Sequence, residues 1–421
     1  MAAYPSVTIF APYFPPRARV GAIRPYRFAK YLSEFGWQVS VICIADSSTQ
    51  LSDLQKEEMK NVRLYNLAPP IDRTTKKKTT DSRNKAKNSK SVVNWLDSQF
   101  PIDTWLPFLA SKRGEIEAIL MENKTDILFS TSDPWSSAVM ANKISSAMNI
   151  PWVADFRDPW TLCDTRFSTK GKVAKQIDER AERNIIKKAD FVTYTSTATE
   201  DKYLKVYSDL GGKSATIRNS FDTNITEISE NSARSDGKLI ILFLGKFRAL
   251  STAESIITLL HYLKIQETDL FTNVEVHSYG ELDDFDQKLA TQKGVSDKFV
   301  VRETVHHSEV SSEIKKADVL LLSTKPERDD IIPAKLFDYL PSGKPILSLV
   351  ENPEVKSILD ETRTGIQTGS KDLDSALKFL KMINKGTKPT SSNLEKIKQY
   401  SAKYRAHELD VILQRVIENV R

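Results

Sequence analysis

The chain has 421 residues, 40% apolar and 28% charged, an ordinary globular composition at a length that exceeds one core and points to two domains. Two distant cysteines, Cys43 and Cys163, exclude a disulfide framework and make a reducing cytosol the default, and no apolar run approaches the roughly 18 residues of a membrane span. The net charge of +6 is local: residues 73–90 carry eight Lys/Arg against Asp81, +7 in all, so the remainder sums to about −1.

The opening MAAYPSVTIFAPYFPPRAR lacks a basic leader and reads as a first strand, VTIFAPYF, rather than a signal peptide. The loop after it, PPRARVGAIRPYR, holds Arg17, Arg19, Gly21 and Arg24; a basic loop with a glycine can cover a phosphate, or can simply be a turn. RPYRFAKYLSEFG follows as a helix with Phe28, Tyr31, Leu32 and Phe35 on one face and Gly36 as its stop. QVSVICIA is a second buried strand. The basic run from Arg73 to Lys90 then leads into Trp95, Phe100, Trp105, Leu106 and Phe108. Clustered cations beside aromatics suit an anionic lipid surface. A solvated loop followed by core aromatics fits equally, and nucleic acid is a weaker third option because no recognition motif accompanies the patch.

Farther on, DILFST is a strand, a helix follows Pro134, and PWVADF is another strand. That strand runs directly into Asp155, Arg157 and Asp158 of WVADFRDPW. Charges at a buried strand end call for acid–arginine pairing, which leaves a structural pair and an acceptor-side or catalytic role both open. KVAKQIDERAERNIIKKAD is helical, and FVTYTS is a strand. Residues 220–238 are polar and read as an interdomain linker.

A second alternating series begins with LIILFLG. Its continuation GKFR places Lys246 and Arg248 directly after Gly245, where two cations beside a glycine can neutralise a diphosphate leaving group, or be exposed loop charges. The helix TAESIITLLHYLK and the strands VEVHSYG, ADVLLLST and KPILSLV complete the series. Between the last two strands lies DDIIPAKLFDYLPSG. Pro333 suits the first residue of a helix. Lys335 in that first turn opposes the helix dipole unless an anion joins them, and the amides around Ile331, Ile332 and Ala334 would face the same anion. Asp330 and Asp338 flank the turn and suit hydroxyl groups, so the stretch fits one ligand with phosphate and hydroxyls, a nucleotide sugar. A plain surface helix, capped by Asp330 and with Lys335 paired to an acid, fits as well. Residues 394–421 form a long amphipathic helical pattern. The histidines are scattered apart from His306–His307, so metal ligation is unsupported; no nucleophile set and no G-x-x-x-x-G-K-[ST] loop is present.

These motifs resemble the retaining, GT-B-fold glycosyltransferases of family four, in the bacterial branch that builds surface polysaccharides. The family's E-x7-E pair corresponds to Asp330 and Asp338, with PAKLFDYLPSGKPIL following the branch pattern; RNSFD is similar to its hinge N-G-x-D, with Ser220 in place of glycine, APYFPP to its N-terminal loop, and DFRDPW fits the branch too. The resemblance implies that Asp330 meets the donor sugar, Asp338 the ribose, and the following amides the β-phosphate. Both acids are Asp where the family has Glu. Lys246 and Arg248 stand closer together than the family's cation pair, and Arg157 or Asp158 stands near the place of its active-site histidine.

The sequence thus leads to an α/β protein of two Rossmann-like parallel-sheet domains facing across a cleft. Residues 1–222 would bind the acceptor, with a membrane-facing insertion at about 73–108. Residues 223–238 would link, 239–392 would bind the nucleotide sugar, and 393–421 would pack back on the first domain. The expected catalytic residues are Asp330, Lys246, Arg248 and Asp158. Donor contacts fall to Gly21, Gly245, Ile331, Ile332, Lys335 and Asp338, and acceptor contacts to Arg24, Asp155 and Arg157. No metal or cofactor is expected beyond the nucleotide-diphosphate sugar itself. The partners are that donor, a lipid-linked or glycan acceptor and an anionic membrane surface, which implies a cytoplasmic protein at the inner face of the cell membrane. A sugar-nucleotide 2-epimerase and a non-catalytic sugar-binding partner are the alternatives.

Overall fold

The computed structural model describes residues 5–16, 20–44, 50–67, 100–163, 167, 169–225, 237–248, 251–303, 309–324, 331–387 and 392–420. The basic run 73–90, Trp95, Arg17, Arg19, Asp330 and His306–His307 lie outside the described residues, as does most of the expected linker. The chain divides into two compact units, Met1–Arg218 with Ala402–Arg421, and Asn219–Ser401.

The first unit contains a seven-stranded sheet: β1 Ser6–Phe10, β2 Gln38–Cys43, β3 Val62–Asn66, β4 Ile127–Ser132, β5 Trp152–Phe156, β6 Phe191–Tyr194 and β7 Ser214–Thr216. All pairs are parallel, in the order β3-β2-β1-β4-β5-β6-β7. β1, β4, β5 and β6 are buried along their whole length, which is why they read as unbroken apolar or small-residue runs rather than alternating ones. One face packs Phe10, Trp135, Ala141, Trp152 and Ile185; the other packs Val7, Ile9, Phe28, Leu32 and Val41. That second face is closed by Ala406, Leu409, Leu413 and Val416 of the terminal helix Ala402–Val420.

Helix α1, Val20–Glu34, begins earlier than the sequence suggests. Pro25 lies inside it rather than at its first position, and Gly21 and Arg24 are helical residues rather than loop residues. Gly36, at φ 100°, ends the segment where no L side chain would settle.

The second unit has six parallel strands: β8 Leu239–Phe243, β9 Val274–Ser278, β10 Phe299–Val301, β11 Val319–Leu322, β12 Ile346–Ser348 and β13 Gly365–Gln367, in the order β10-β9-β8-β11-β12-β13. Helices cover both faces, one through Ile256, Leu260, Phe379 and Leu380, the other through Leu336, Phe337, Ile358 and Ile397. Each sheet reverses its strand order once, at β1/β4 and at β8/β11. Crevices beyond the carboxyl ends of such strand pairs are where open α/β sheets take ligands.

The continuous helix expected over 394–421 is two helices, Leu394–Lys398 and Ala402–Val420, and they belong to different units. Tyr400 breaks the run: its ring is buried against Phe337, its hydroxyl bonds Glu361, and its carbonyl accepts the Phe221 amide at 3.1 Å. Tertiary contacts there override a favourable helical periodicity.

Candidate functional site

The carboxyl end of β8 is occupied by Leu244, Gly245 and Lys246, and a short helix, Lys335–Tyr339, is fastened against it. Tyr339 makes the connection. Its buried hydroxyl accepts the Leu244 amide at 2.9 Å and donates to the Leu321 carbonyl at 3.3 Å, so one side chain grips both strands of the switch point.

Lys335, four residues before Tyr339, therefore reaches back over the end of β8. Its Nζ stands 4.5 Å from the centroid of the Phe243 ring. Gly245 leaves the room for it: φ is 129°, and an added Cβ would lie 3.3 Å from Lys335 Cε. Burial, and then the nearby charge of Arg248, push the Lys335 ammonium below its ordinary range, while Asp338 acts in the opposite direction. Of the expected residues, Gly245 and Lys335 thus meet at one strand end, with Arg248 and Asp338 near enough to act on the Lys335 charge. Lys246 turns toward β9 instead, its methylenes lying over Gly280, where an added Cβ would sit 3.0 Å from Cδ. Lys246 is an exposed residue.

The helix itself departs from expectation. Pro333 is not its first residue; the helix has five residues, and the Pro333 carbonyl accepts the Leu336 amide at 3.0 Å in a tight turn before it. Pro341 follows too soon for a longer helix, and Gly343 at φ 68° closes the segment. With only one turn of aligned peptides, the dipole is small, and the side-chain cations carry most of the positive charge. Ile332 is buried and Ile331 half-buried beside this turn.

In the first unit, Asp155, the next-to-last residue of β5, has no exposed surface. It pairs with Arg24, not with its neighbour Arg157. Arg24 Nε and Nη2 donate to the two carboxylate oxygens at 3.0 and 2.8 Å, and Thr131 and Thr193 hydroxyls donate at 2.8 Å each. Burial alone would raise this carboxyl, but Arg24 and the hydroxyl bonds outweigh it and hold it below the usual range. Arg24 also donates to the Arg218 carbonyl and stacks on Phe28, 4.7 Å from the ring centroid. Expected on the acceptor side, Arg24 and Asp155 are instead an enclosed structural pair, because every carboxylate oxygen is already engaged inside the protein.

Arg157 has a different seat. Pro25 has no N–H, so the carbonyl of Gly21, four residues earlier, is without its helical donor. Arg157 Nη1 donates to that carbonyl at 2.7 Å. A Cβ on Gly21 would lie 2.2 Å from the guanidinium, so Gly21 serves close packing by Arg157 rather than a glycine loop over phosphate. Asp158 is the exposed group of the stretch: its side chain retains 38% of its surface, with Arg157 Nε 3.9 Å away.

Sequence reading missed several residues here. Thr324, two residues past β11, has a buried hydroxyl with no hydrogen-bond partner among the described residues; a polar pair ending an apolar strand, ADVLLLST, was the available signal. Glu182 and Asp178 are fully buried acids in the helix Lys172–Lys188, which the sequence marked only as helical. A cavity of about 150 Å³ in the second unit, bordered by His277, Tyr279, Arg302 and Glu313, contains none of the expected site residues. Among the described residues no His/Cys/Asp/Glu cluster could hold a metal ion, and no helix is long and apolar enough to cross a membrane.

No family model matches the sequence, and no curated protein matches it. Solved structures do resemble the chain. Sucrose-phosphate synthase from Thermosynechococcus elongatus superposes with a TM-score of 0.64 at 14% identity, covering 99% of this chain and 100% of that one. Anabaena HepE in complex with UDP gives 0.61 at 12% identity over 98% and 100%. The lipopolysaccharide outer core galactosyltransferase WaaB gives 0.57 at 13% over 97% and 99%. These neighbours are GT-B glycosyltransferases, and the likeness establishes the same fold here: two Rossmann-like parallel-sheet domains.

Proposed function

We propose that the protein is a glycosyltransferase that takes a sugar from a nucleoside-diphosphate donor and attaches it, with retained configuration, to a lipid-linked or glycan acceptor in surface polysaccharide synthesis. The observation that carries this reading is the seat of Lys335, whose Nζ lies 4.5 Å from the Phe243 ring centroid at the carboxyl end of β8, in the room left by Gly245. A half-buried ammonium whose charge is disfavoured by burial and by the exposed Arg248 nearby is relieved when a pyrophosphate binds it. The neighbours include a UDP complex and a UDP-glucose complex, which supports a nucleotide-sugar donor for this chain.

In this reading Lys246, Arg248 and Lys335 compensate the charge of the departing diphosphate, so the charge balance requires no metal ion. Asp338 accepts hydrogen bonds from ribose hydroxyls. Asp330, which lies outside the described residues, holds the donor sugar. An acceptor hydroxyl attacks the anomeric carbon on the side from which the phosphate leaves. The new bond forms from the acceptor oxygen, the anomeric carbon–phosphate oxygen bond breaks, and the acceptor proton passes to the leaving phosphate. Asp158 and Arg157, in the first unit, are assigned to the acceptor. The Arg73–Lys90 run attaches the protein to an anionic membrane at the inner face of the cell membrane, where a lipid-linked acceptor is found.

The test is incubation with a panel of sugar nucleotides, with and without a polyprenyl-linked acceptor. Nucleoside diphosphate released only in the presence of acceptor, and undiminished after chelation, is the expected result. Isomerised donor without acceptor, or binding without turnover, would overturn it.

A further inference from the structure

The stretch Arg157–Thr161, which follows β5, is tied down at nearly every residue except Asp158. At its start, the Arg157 carbonyl accepts the Thr195 hydroxyl at 2.7 Å, and the guanidinium occupies the Gly21 carbonyl left open by Pro25. At its end, two acids one helical turn apart on Lys172–Lys188 take over. Glu182 accepts the Thr161 amide at 2.9 Å, the Thr161 hydroxyl, and the hydroxyls of Tyr203 and Tyr207 at 2.7 Å each. Tyr203 Oη in turn accepts the Trp160 amide at 2.9 Å. Asp178 accepts the Trp160 indole N–H at 3.3 Å and the Ile102 amide at 2.6 Å. The Trp160 ring is stacked on Trp135, with centroids 4.8 Å apart and planes 8° from parallel.

Glu182 has no exposed surface. A buried carboxylate is a poor means of stability, since an apolar side chain of equal volume generally serves as well or better. Its four convergent donors do something an apolar side chain cannot: they fix backbone and side chain of one loop in a single arrangement. Two of those donors are the amide and hydroxyl of Thr161, three residues from Asp158. Pro159 between them is buried and rigid in φ, which transmits the anchorage along the short connection.

We propose that Glu182, with Tyr203 and Tyr207, is a positioning residue: by holding Trp160 and Thr161 it sets the location of the Asp158 carboxylate beside Arg157. The proposal rests on the glycosyltransferase reading in which Asp158 acts at the acceptor side.

The test is a double-mutant cycle of Asp158→Asn and Glu182→Gln, with UDP release from UDP-glucose in the presence of a polyprenyl-linked acceptor as the activity probe and amide hydrogen exchange at Trp160 and Thr161 as a readout independent of activity. Tyr207→Phe is the milder companion, removing one donor while keeping its ring. Glu182→Gln is expected to lower kcat at least tenfold with KM for UDP-glucose within twofold, and to speed exchange of both amides. In the Asp158→Asn background it should cost no further kcat. Independent, multiplicative losses would overturn the positioning role while leaving the transferase reading intact. If the wild-type protein turns over no sugar nucleotide, the transferase reading falls, and with it the role assigned to Asp158; unchanged exchange in both Glu182→Gln and Tyr207→Phe would overturn the anchorage itself. Should Glu182→Gln fail to fold, Tyr207→Phe carries the same cycle, with kcat reduced a few-fold as the supporting result and unchanged kcat as the contrary one.

Discussion

Lys335 is half-buried and Arg24 buried, and their surroundings separate a binding role from a scaffolding one. Arg24 is fully matched by Asp155, whereas Lys335 faces another cation, Arg248, with Asp338 as partial relief. Replacing Lys335 by methionine should weaken UDP binding about tenfold, ~1.4 kcal/mol, in calorimetry, and at the same time raise the melting temperature of the unliganded protein. The sign follows from the proton balance. The folded-state value lies below the ordinary 10.5, so the unfolded chain binds more protons between the two values, and stability rises with pH across that alkaline window. Lys335→Met should abolish that rise, and UDP affinity, which falls as Lys335 loses its proton, should lose its alkaline limb too. Arg24→Ala, in contrast, strands a buried carboxylate and should cost about 3–5 kcal/mol in denaturant unfolding. Asp155 is held below its ordinary 3.8, so the stability it contributes is present above 3.8 and disappears as pH falls through the folded value; the variant should lack this acid-side loss.

At the scale of elements, the short helix Lys335–Tyr339 is placed by Tyr339 rather than by its own length. Tyr339→Phe removes the acceptor of the Leu244 amide and the donor to Leu321. The expected cost is ~1–3 kcal/mol, together with weaker UDP binding, although residue 339 touches no ligand in the proposed site. Unchanged UDP affinity would show that Lys335 keeps its position without this anchor. The elements also show how much was legible beforehand. The parallel strands were readable because burial on both faces leaves continuous apolar runs, as in LIILFLG and ADVLLLST. The start of α1 was not, because Pro25 resembles a first-turn proline, and only the Arg157 guanidinium on the Gly21 carbonyl accounts for a proline farther inside. The buried acids of Lys172–Lys188 were unreadable for a similar reason: their partners Thr161, Trp160 and Tyr203 are distant or unremarkable in sequence.

For the whole molecule, the return of Ala402–Val420 to the first unit makes that unit discontinuous. Trp37 Nε1 donates to Asp410 at 2.7 Å, and Leu409 and Leu413 close the core over β1 and α1. Deleting residues 402–421 should therefore destabilise the first unit while leaving cooperative unfolding of the second, resolved by hydrogen exchange; Leu413→Ala alone should cost about 3 kcal/mol. A truncated protein with both units protected would contradict this assignment. The cationic run is a property of the same scale. Neutralising Lys76–Lys78 should reduce sedimentation with anionic vesicles several-fold and shift none with neutral ones, since each Lys contributes about 1 kcal/mol at such a surface.

By itself the sequence determined the alternation of strands and helices, the two-domain division and the chemical types clustered after strands. Each of these follows from local patterning, where one residue's burial is encoded in its neighbours. Tertiary structure alone decided that Asp155 belongs to Arg24, that Gly21 makes room for Arg157, that Lys335 lies against Gly245, and that the terminal helical pattern breaks at Tyr400 between the two units. Those are pairings across tens to hundreds of residues, fixed by which strands lie side by side and by which polar groups remain to be matched once the sheets have formed.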